Sequence, residues 1–137
     1  MTKDTFMRIR FETEIAPYEF LKIFINNGWT YNNIGIAYFL ESKHFEDFDW
    51  QSVPIDMFDV DTFMAKHAPT ENLALWLEKD GFSGHFHFYA KEILIILSDD
   101  IPELNDWECQ DFSWCLERLA FLLEHVRITY LECKVNF

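Results

Sequence analysis

The stretch from Leu73 to Tyr89 restricts the possible folds of this chain more than any other part of the sequence. Two largely apolar runs flank Asp80-Gly81, and Asp-Gly favours a two-residue hairpin turn because both central positions need a positive φ. The pairs that this turn predicts are Leu75–Phe86 and Leu73–Phe88 on one face, and Trp76–His85 and Ala74–His87 on the other. Because the larger apolar pairs share one face, the pattern predicts an antiparallel hairpin packed on a core.

Residue periodicity predicts further strands and helices on both sides of this hairpin. The predicted strands are 6–12, 34–40, 93–98 and 128–135. The predicted helices are one from Pro17 to Asn26-Asn27-Gly28, a short one after Pro54 that ends near His67, and one from Phe112 to His125 capped by Asp111. The segment 93–98 is apolar on both faces, so we expect a central strand that is covered on each side.

The order β-α-β-α-β-β-β-α-β predicts an α+β fold in which about three helices pack on a largely antiparallel sheet. The 137 residues are few enough for a single globular domain spanning 1–137. Half of the residues are hydrophobic and only four are glycine, which is typical of a well-packed core rather than of a disordered chain.

The formal net charge of −13 limits the classes of partner. Direct binding to nucleic acid needs cations that displace counterions from phosphates, and an anionic membrane surface needs cations for the same reason. We therefore expect neither partner, and a basic protein partner is favoured instead. The N-terminus lacks a signal-peptide core, and three cysteines without metal spacing indicate reduced thiols, so we expect a cytoplasmic protein. The sequence does not predict the oligomeric state.

Thirteen of the 24 acidic residues lie in two short segments, Glu41–Asp61 and Asp99–Asp111. We interpret the second segment, and the first as far as Ser52, as loops. Aromatic side chains stand among these acids, as in the energetic centres of protein interfaces, where an aromatic anchor has a polar rim. Alternatively, the same aromatics fold inward and attach the loops to the core. The candidate partner-binding residues are Glu46, Asp47, Asp49, Trp50, Asp56, Asp59, Asp61, Asp99, Asp100, Asp106 and Trp107.

The sequence contains two candidate metal sites. His85 and His87 are two residues apart on a predicted strand, so both imidazoles point to the same side and suit one metal ion, with Glu78 as the nearest carboxylate. The alternative is the polar side of a half-buried hairpin beside Trp76, which we favour. The cluster Asp56, Asp59 and Asp61 lacks the glycine and the terminal glutamate of a calcium loop, so we expect a solvated surface there.

No catalytic signature is present in the sequence. Cys115 lies among apolar residues of the last helix, and Cys109 has acidic neighbours that raise the pKa of a thiol. Glycine is too scarce for a phosphate-binding loop. We therefore expect no catalytic residue, no cofactor and no enzymatic activity.

The C-terminal segment DFSWCLERLAFLLEHVRITYLECKVNF resembles that of small acidic bacterial immunity proteins, which are encoded beside contact-dependent growth-inhibition and other polymorphic toxins. The size, the acidity and the β-rich order are similar too. The resemblance implies a non-enzymatic protein that binds one cognate toxin domain, often a basic nuclease, and covers its active site or substrate path. The alternatives are a generic cytosolic protein-interaction or small-ligand-binding domain without a toxin partner, and a small metalloenzyme around His85 and His87.

Overall fold

The computed structural model describes residues 4–41, 49–66, 71–104 and 109–136. The strands in these ranges are β1 (Asp4–Phe11), β2 (Ile36–Leu40), β3 (Gln51–Pro54), β4 (Leu73–Lys79), β5 (Phe82–Phe88), β6 (Glu92–Leu97), β7 (Glu103–Leu104), β8 (Cys109–Gln110) and β9 (Ile128–Asn136). The helices are α1 (Pro17–Asn26), α2 (Val60–Ala65) and α3 (Phe112–Leu119), with 3-10 turns at Ile55–Met57 and Ala120–Glu124.

Seven strands form one sheet in the order β3-β2-β4-β5-β6-β1-β9, and every neighbouring pair in it is antiparallel. The strands β7 and β8 form a separate two-stranded ladder. The predicted α+β class, with a largely antiparallel sheet and three helices, is confirmed.

The β4–β5 hairpin has the predicted register. Leu75 pairs with Phe86 and Trp76 with His85, and the other two predicted pairs are also present. Asp80 has a φ of 52° and Gly81 a φ of 86°, so both turn residues adopt the positive φ that the Asp-Gly turn requires. The turn therefore fixes which side chains of the hairpin face the core.

One face of the sheet, here called the helical face, carries the main core. Its central positions are Phe39, Leu75, Phe86, Ile95 and Met7, which are paired across five adjacent strands. The helices pack on these residues through apolar side chains of the main core cluster, which include Phe20, Phe24, Phe63, Met64, Cys115 and Leu119. The α1 side chains meet the sheet through aromatic pairs, and the ring centroids of Phe24 and Phe86 are 5.4 Å apart.

The opposite face, here called the second face, is covered unevenly. His87 and Ala74 are fully buried there, and Trp50 and Tyr89 pack on a small cluster formed by Leu40 and Ala74. On the same face of the central strand β6, Ile96 is 36% exposed. The expectation that 93–98 is covered on each side is therefore wrong for the second face at this strand.

Several predicted boundaries are also wrong. Ile34 is 97% exposed and has a φ of 48°, because it belongs to the tight turn in which Asn33 and Ile36 pair, so β2 begins only at Ile36. Gln51, expected in a loop, begins β3 and pairs with Phe39. The second acidic segment contains the β7–β8 ladder, and the last helix changes to a 3-10 turn at Ala120.

We expect Gly84→Ala to destabilise the fold by about 2–3 kcal/mol, because an added Cβ would lie 2.4 Å from the backbone oxygen of Ile96 and the strands would have to separate. Chemical denaturation would measure the free energy of unfolding. Ser52→Ala, at an exposed position of β3, is the control, and we expect a change within about 0.5 kcal/mol. Equal stabilities of the two variants would contradict this close approach of β5 and β6.

Candidate protein-binding surface

The candidate binding residues lie at three places on the fold. Asp49 and Trp50 directly precede β3, Asp56 lies in the 3-10 turn after β3, and Asp59 and Asp61 lie at the start of α2. Asp99 and Asp100 lie in the turn after β6, and all six aspartates are exposed. The candidates Glu46, Asp47, Asp106 and Trp107 lie outside the described residues.

Strand direction brings parts of both acidic segments to the same end of the sheet. Because all neighbouring strands are antiparallel, β3, β4 and β6 end where β2 and β5 begin. Asp56 therefore lies at the same end as Asp99, separated by four inter-strand spacings, or roughly 19 Å. The exposed Asp80 of the β4–β5 turn lies between them. We call this region, with Asp56, Asp80, Asp99 and Asp100, the acidic end.

The acidic end also contains a base. Lys79 closes β4, and its Nζ donates a hydrogen bond to the carbonyl oxygen of Asn27, 2.5 Å away. Lys79 therefore sits over the end of α1, where the carbonyl groups of a helix carry partial negative charge. The acidic end keeps an excess of carboxylates.

An apolar cavity of about 190 Å³ adjoins the acidic end. It lies between β2, β3 and α2, and its lining residues are Phe39, Glu41, Val53, Met57, Phe58, Asp59, Thr62, Phe63 and Lys66. The rings of Phe39, Phe58 and Phe63 form a cluster with centroid distances of 5.2 to 5.5 Å. Met57 is 75% exposed beside it. The cavity has the dimensions to take one apolar side chain of a partner, inside a charged rim.

This cavity is not predictable from the helix expected after Pro54. The sequence predicts one short helix after Pro54, whereas the chain makes a 3-10 turn at Ile55–Met57 and enters α2 only at Val60. The available signal was the direct alternation of acids with apolar residues after Pro54, which is unusual for a helix packed along one face.

Asp59 has a local structural role. Its Oδ1 accepts hydrogen bonds from the backbone N–H groups of Asp61 and Thr62, at 3.0 and 3.4 Å, and its Oδ2 accepts one from the Thr62 hydroxyl at 2.9 Å. These bonds lower the pKa of the Asp59 carboxyl, the hydroxyl contributing most. Asp59 thus caps α2, and Asp56 and Asp61 are the exposed acids available on either side of it.

Trp50 packs on the second face of the sheet. Its ring centroid lies 4.6 Å from that of His85 and 5.6 Å from that of His87. This position matches the alternative in which an aromatic residue of the acidic segment attaches it to the sheet. Trp50 as a whole is half-buried, and the preceding Asp49 is exposed.

The two histidines are held largely away from water. Burial lowers the pKa of His85, and burial together with the nearby His85 lowers the pKa of His87 to about 4. Both pair across the strands with Trp76 and Ala74 of β4, as expected for one side of the hairpin. In the described ranges no group of three or more His, Cys, Asp or Glu side chains is arranged to hold a metal ion.

The Cys115 thiol has an environment that disfavours nucleophilic chemistry. Cys115 is fully buried in the core, as expected, and burial followed by the charge of Asp111 raises the pKa of its thiol to about 12. Asp111 caps α3 as predicted, since its Oδ1 accepts a hydrogen bond from the backbone N–H of Trp114. Cys115 thus belongs to the core.

Comparisons with protein-family models, curated proteins and solved structures found no match for this chain. Among the helices that the structure describes, none is long and apolar enough to cross a membrane.

The depressed pKa of His87 predicts a pH-dependent loss of stability. The unfolded state takes up a proton near pH 6.5, whereas the folded state does so only near pH 4, so stability falls as the pH falls through this window. Between pH 7.5 and pH 5.0, wild type should lose about 2 kcal/mol more unfolding free energy than His87→Asn. The measurement is urea denaturation at both pH values.

The control for this experiment is His125→Asn, because His125 is exposed. This variant should show the wild-type pH dependence. An unchanged pH dependence of His87→Asn would contradict the burial of a neutral imidazole at this position.

Proposed function

We propose that this chain is an immunity-type inhibitor that binds a cognate basic toxin domain, and that it neutralises this domain by covering its active site or substrate path. The observation that carries the proposal is the acidic end, where exposed carboxylates from both acidic segments adjoin an apolar cavity. A nuclease uses Lys and Arg to bind phosphates, so a carboxylate surface competes for the same cations.

The carboxylates of the acidic end and the apolar cavity contribute differently to the proposed complex. Asp56, Asp99 and Asp100 are exposed, so their charges accelerate encounter with a basic domain and make association depend on salt. The cavity beside Met57 takes an apolar side chain of the partner, and burial of that contact slows dissociation. A charged rim with an apolar centre is the usual arrangement at the energetic centre of protein interfaces.

Cavity size supports a protein partner over a small ligand. Drug-sized ligands occupy cavities of roughly 300–1,000 Å³ that bury most of the ligand surface, whereas the apolar cavity measures about 190 Å³. A larger depression of about 430 Å³ adjoins Thr13, Ile15 and the segment 123–127. Glu124, His125 and Arg127 contribute to its lining, which is not the mostly apolar lining typical of ligand pockets.

The first test is co-expression of this chain with the product of the immediately upstream gene. We expect a one-to-one complex with the basic C-terminal domain of a large secreted protein, and loss of that domain's toxic activity when the chain is present in equimolar amount. Absence of a complex, with the chain recovered by itself, would overturn the proposal.

The second test locates the interface by charge reversal. Asp56→Lys combined with Asp99→Lys should lower the association rate at low salt by about tenfold or more and should flatten its salt dependence, because the steering charges are reversed. Surface plasmon resonance at several salt concentrations measures both effects. Unfolding curves should stay close to wild type, since both positions are exposed.

A matched control separates location from net charge. Glu14→Lys combined with Glu124→Lys changes the net charge equally, and Glu14 follows the end of β1 at the opposite end of the sheet, beside the depression that Glu124 lines. We expect a much smaller effect from this pair. Equal effects of both double variants would show that only total charge matters and would reject the acidic end as the interface.

A further inference from the structure

The two edges of the sheet differ in how well they are protected against pairing with another strand. The strand β3 has four residues and ends at Pro54, and a short edge with a proline is a poor template. The strand β9 has nine residues without proline, Ile128–Asn136, and it pairs with β1 along one side. In the described part of the chain no strand pairs with its outer side. A long unprotected edge is a site for strand addition.

The β9 edge also presents apolar side chains. Tyr130 is 40% exposed and Leu131 is 44% exposed. Cys133 and Lys134 are exposed as well. Pairing with another strand would remove apolar surface from water along this edge.

Charge at this edge differs from that of the remaining chain. The strands β1 and β9 together carry three bases against two acids, whereas the whole chain has 11 bases and 24 acids. The bases are Arg8, Arg10 and Lys134, and the acids are Asp4 and Glu132. A second copy of this acidic chain therefore meets less repulsion at β9 than at the acidic end.

The side chains of the β9 ladder alternate between the two faces, with Glu132 and Lys134 on the second face. Glu132 Oε1 receives a hydrogen bond from Nη1 of Arg8 at 3.1 Å, and Nζ of Lys134 lies 5.8 Å from the ring centroid of Phe6. Both charged groups are thus already partly ordered within one copy, which limits the entropy lost on forming another pair.

Three antiparallel registers place the two-fold axis near the middle of the charged part of β9, at Leu131, Glu132 or Cys133. Only one of them makes β9 complementary to itself. A two-fold axis through Glu132 places Glu132 opposite Glu132, which is repulsive. An axis through Leu131 places Glu132 opposite Tyr130 and pairs no charges. An axis through Cys133 places Glu132 of each copy opposite Lys134 of the other, and Leu131 opposite Val135, so that both charge pairs and both apolar pairs are matched.

We propose that this chain forms a two-fold symmetric homodimer through antiparallel pairing of β9 with β9 of a second copy, centred on Cys133. The two seven-stranded sheets then join into one continuous sheet. Backbone hydrogen bonds connect the copies, and two Glu132–Lys134 pairs with two Leu131–Val135 pairs select the register.

Sedimentation velocity across protein concentrations tests this proposal. Wild type should sediment as a dimer at tens of micromolar, whereas Glu132→Lys and Lys134→Glu should each raise the dissociation constant by about tenfold or more, because each makes both pairs repulsive. An equimolar mixture of the two variants should form a heterodimer, since all its charge pairs are opposite again.

The sedimentation results test the dimer and its register separately. A wild-type protein that stays monomeric at these concentrations would overturn the proposal and leave β9 to a different partner. Variants that dimerise as tightly as wild type, or a mixture that does not associate, would overturn the register. Thermal unfolding of each variant at low concentration verifies that the monomer is folded.

An oxidative cross-link gives an independent readout of the register. Directly opposed residues of antiparallel strands have Cα atoms roughly 4.5–5.5 Å apart, which lies within the range of disulfides. Oxidation with copper-phenanthroline should therefore join two copies through Cys133 and shift the protein to dimer mass on non-reducing gels. Cys133→Ser should dimerise in solution without this cross-link, and a cross-link that persists in that variant would overturn the centre at Cys133.

Discussion

The Asp80-Gly81 turn is the constraint on which the rest of the structure depends. Its two positive φ angles fix the β4–β5 register, and the register decides which side chains reach the helical face. A shift of β5 by one residue against β4 would bring His85 to that face and would turn Phe86 to the other. The other strands and the helices then assemble on the apolar face that the hairpin defines, and Phe24 of α1 packs on Phe86 and Phe88.

The same packing explains where the charges lie. The helical face is occupied by aromatic and aliphatic residues, so most carboxylates of the described ranges lie in turns and loops, at exposed helix positions and on the second face. Antiparallel order gathers the turns after β3, β4 and β6 at one end, and these turns carry Asp56, Asp80, Asp99 and Asp100. The acidic end is therefore a consequence of strand direction combined with the placement of acids after strands.

The parts of the fold that were predictable from sequence are those set by local chemistry. The hairpin follows from Asp-Gly, the start of α1 from Pro17, and the cap of α3 from Asp111. Strand β3 was missed because Gln51–Pro54 has no recognisable pattern of its own and is held by its pairing with β2. Ile34 was misplaced because an apolar residue before a strand resembles its first residue, whereas here it occupies a positive-φ turn.

The candidate surface also combines features that are visible in the local sequence with features that depend on long-range pairing. The acids were visible in the sequence, and their clustering was the signal that selected them. Their meeting at one end was not predictable, because it depends on the order β3-β2-β4-β5-β6, which places β2 between β3 and β4 through long-range pairing. The cavity beside Met57 likewise requires β2, β3 and α2 to meet, and no local pattern encodes that contact.

The positions of the acidic end and of β9 make the two proposed interactions compatible. In a sheet joined through β9, the two copies of β6 are separated by five inter-strand spacings, or roughly 24 Å. Because the paired copies run in opposite directions, their acidic ends also point to opposite sides. This separation exceeds the screening length of about 8 Å at physiological salt, so the carboxylates of one copy repel those of the other only weakly. The apolar cavity lies beside β3, at the opposite edge of the sheet from β9. Asp99 and Asp100 lie at the end of the sheet, whereas the two-fold contact runs along the β9 edge, so the surfaces used by the two proposed interactions do not overlap.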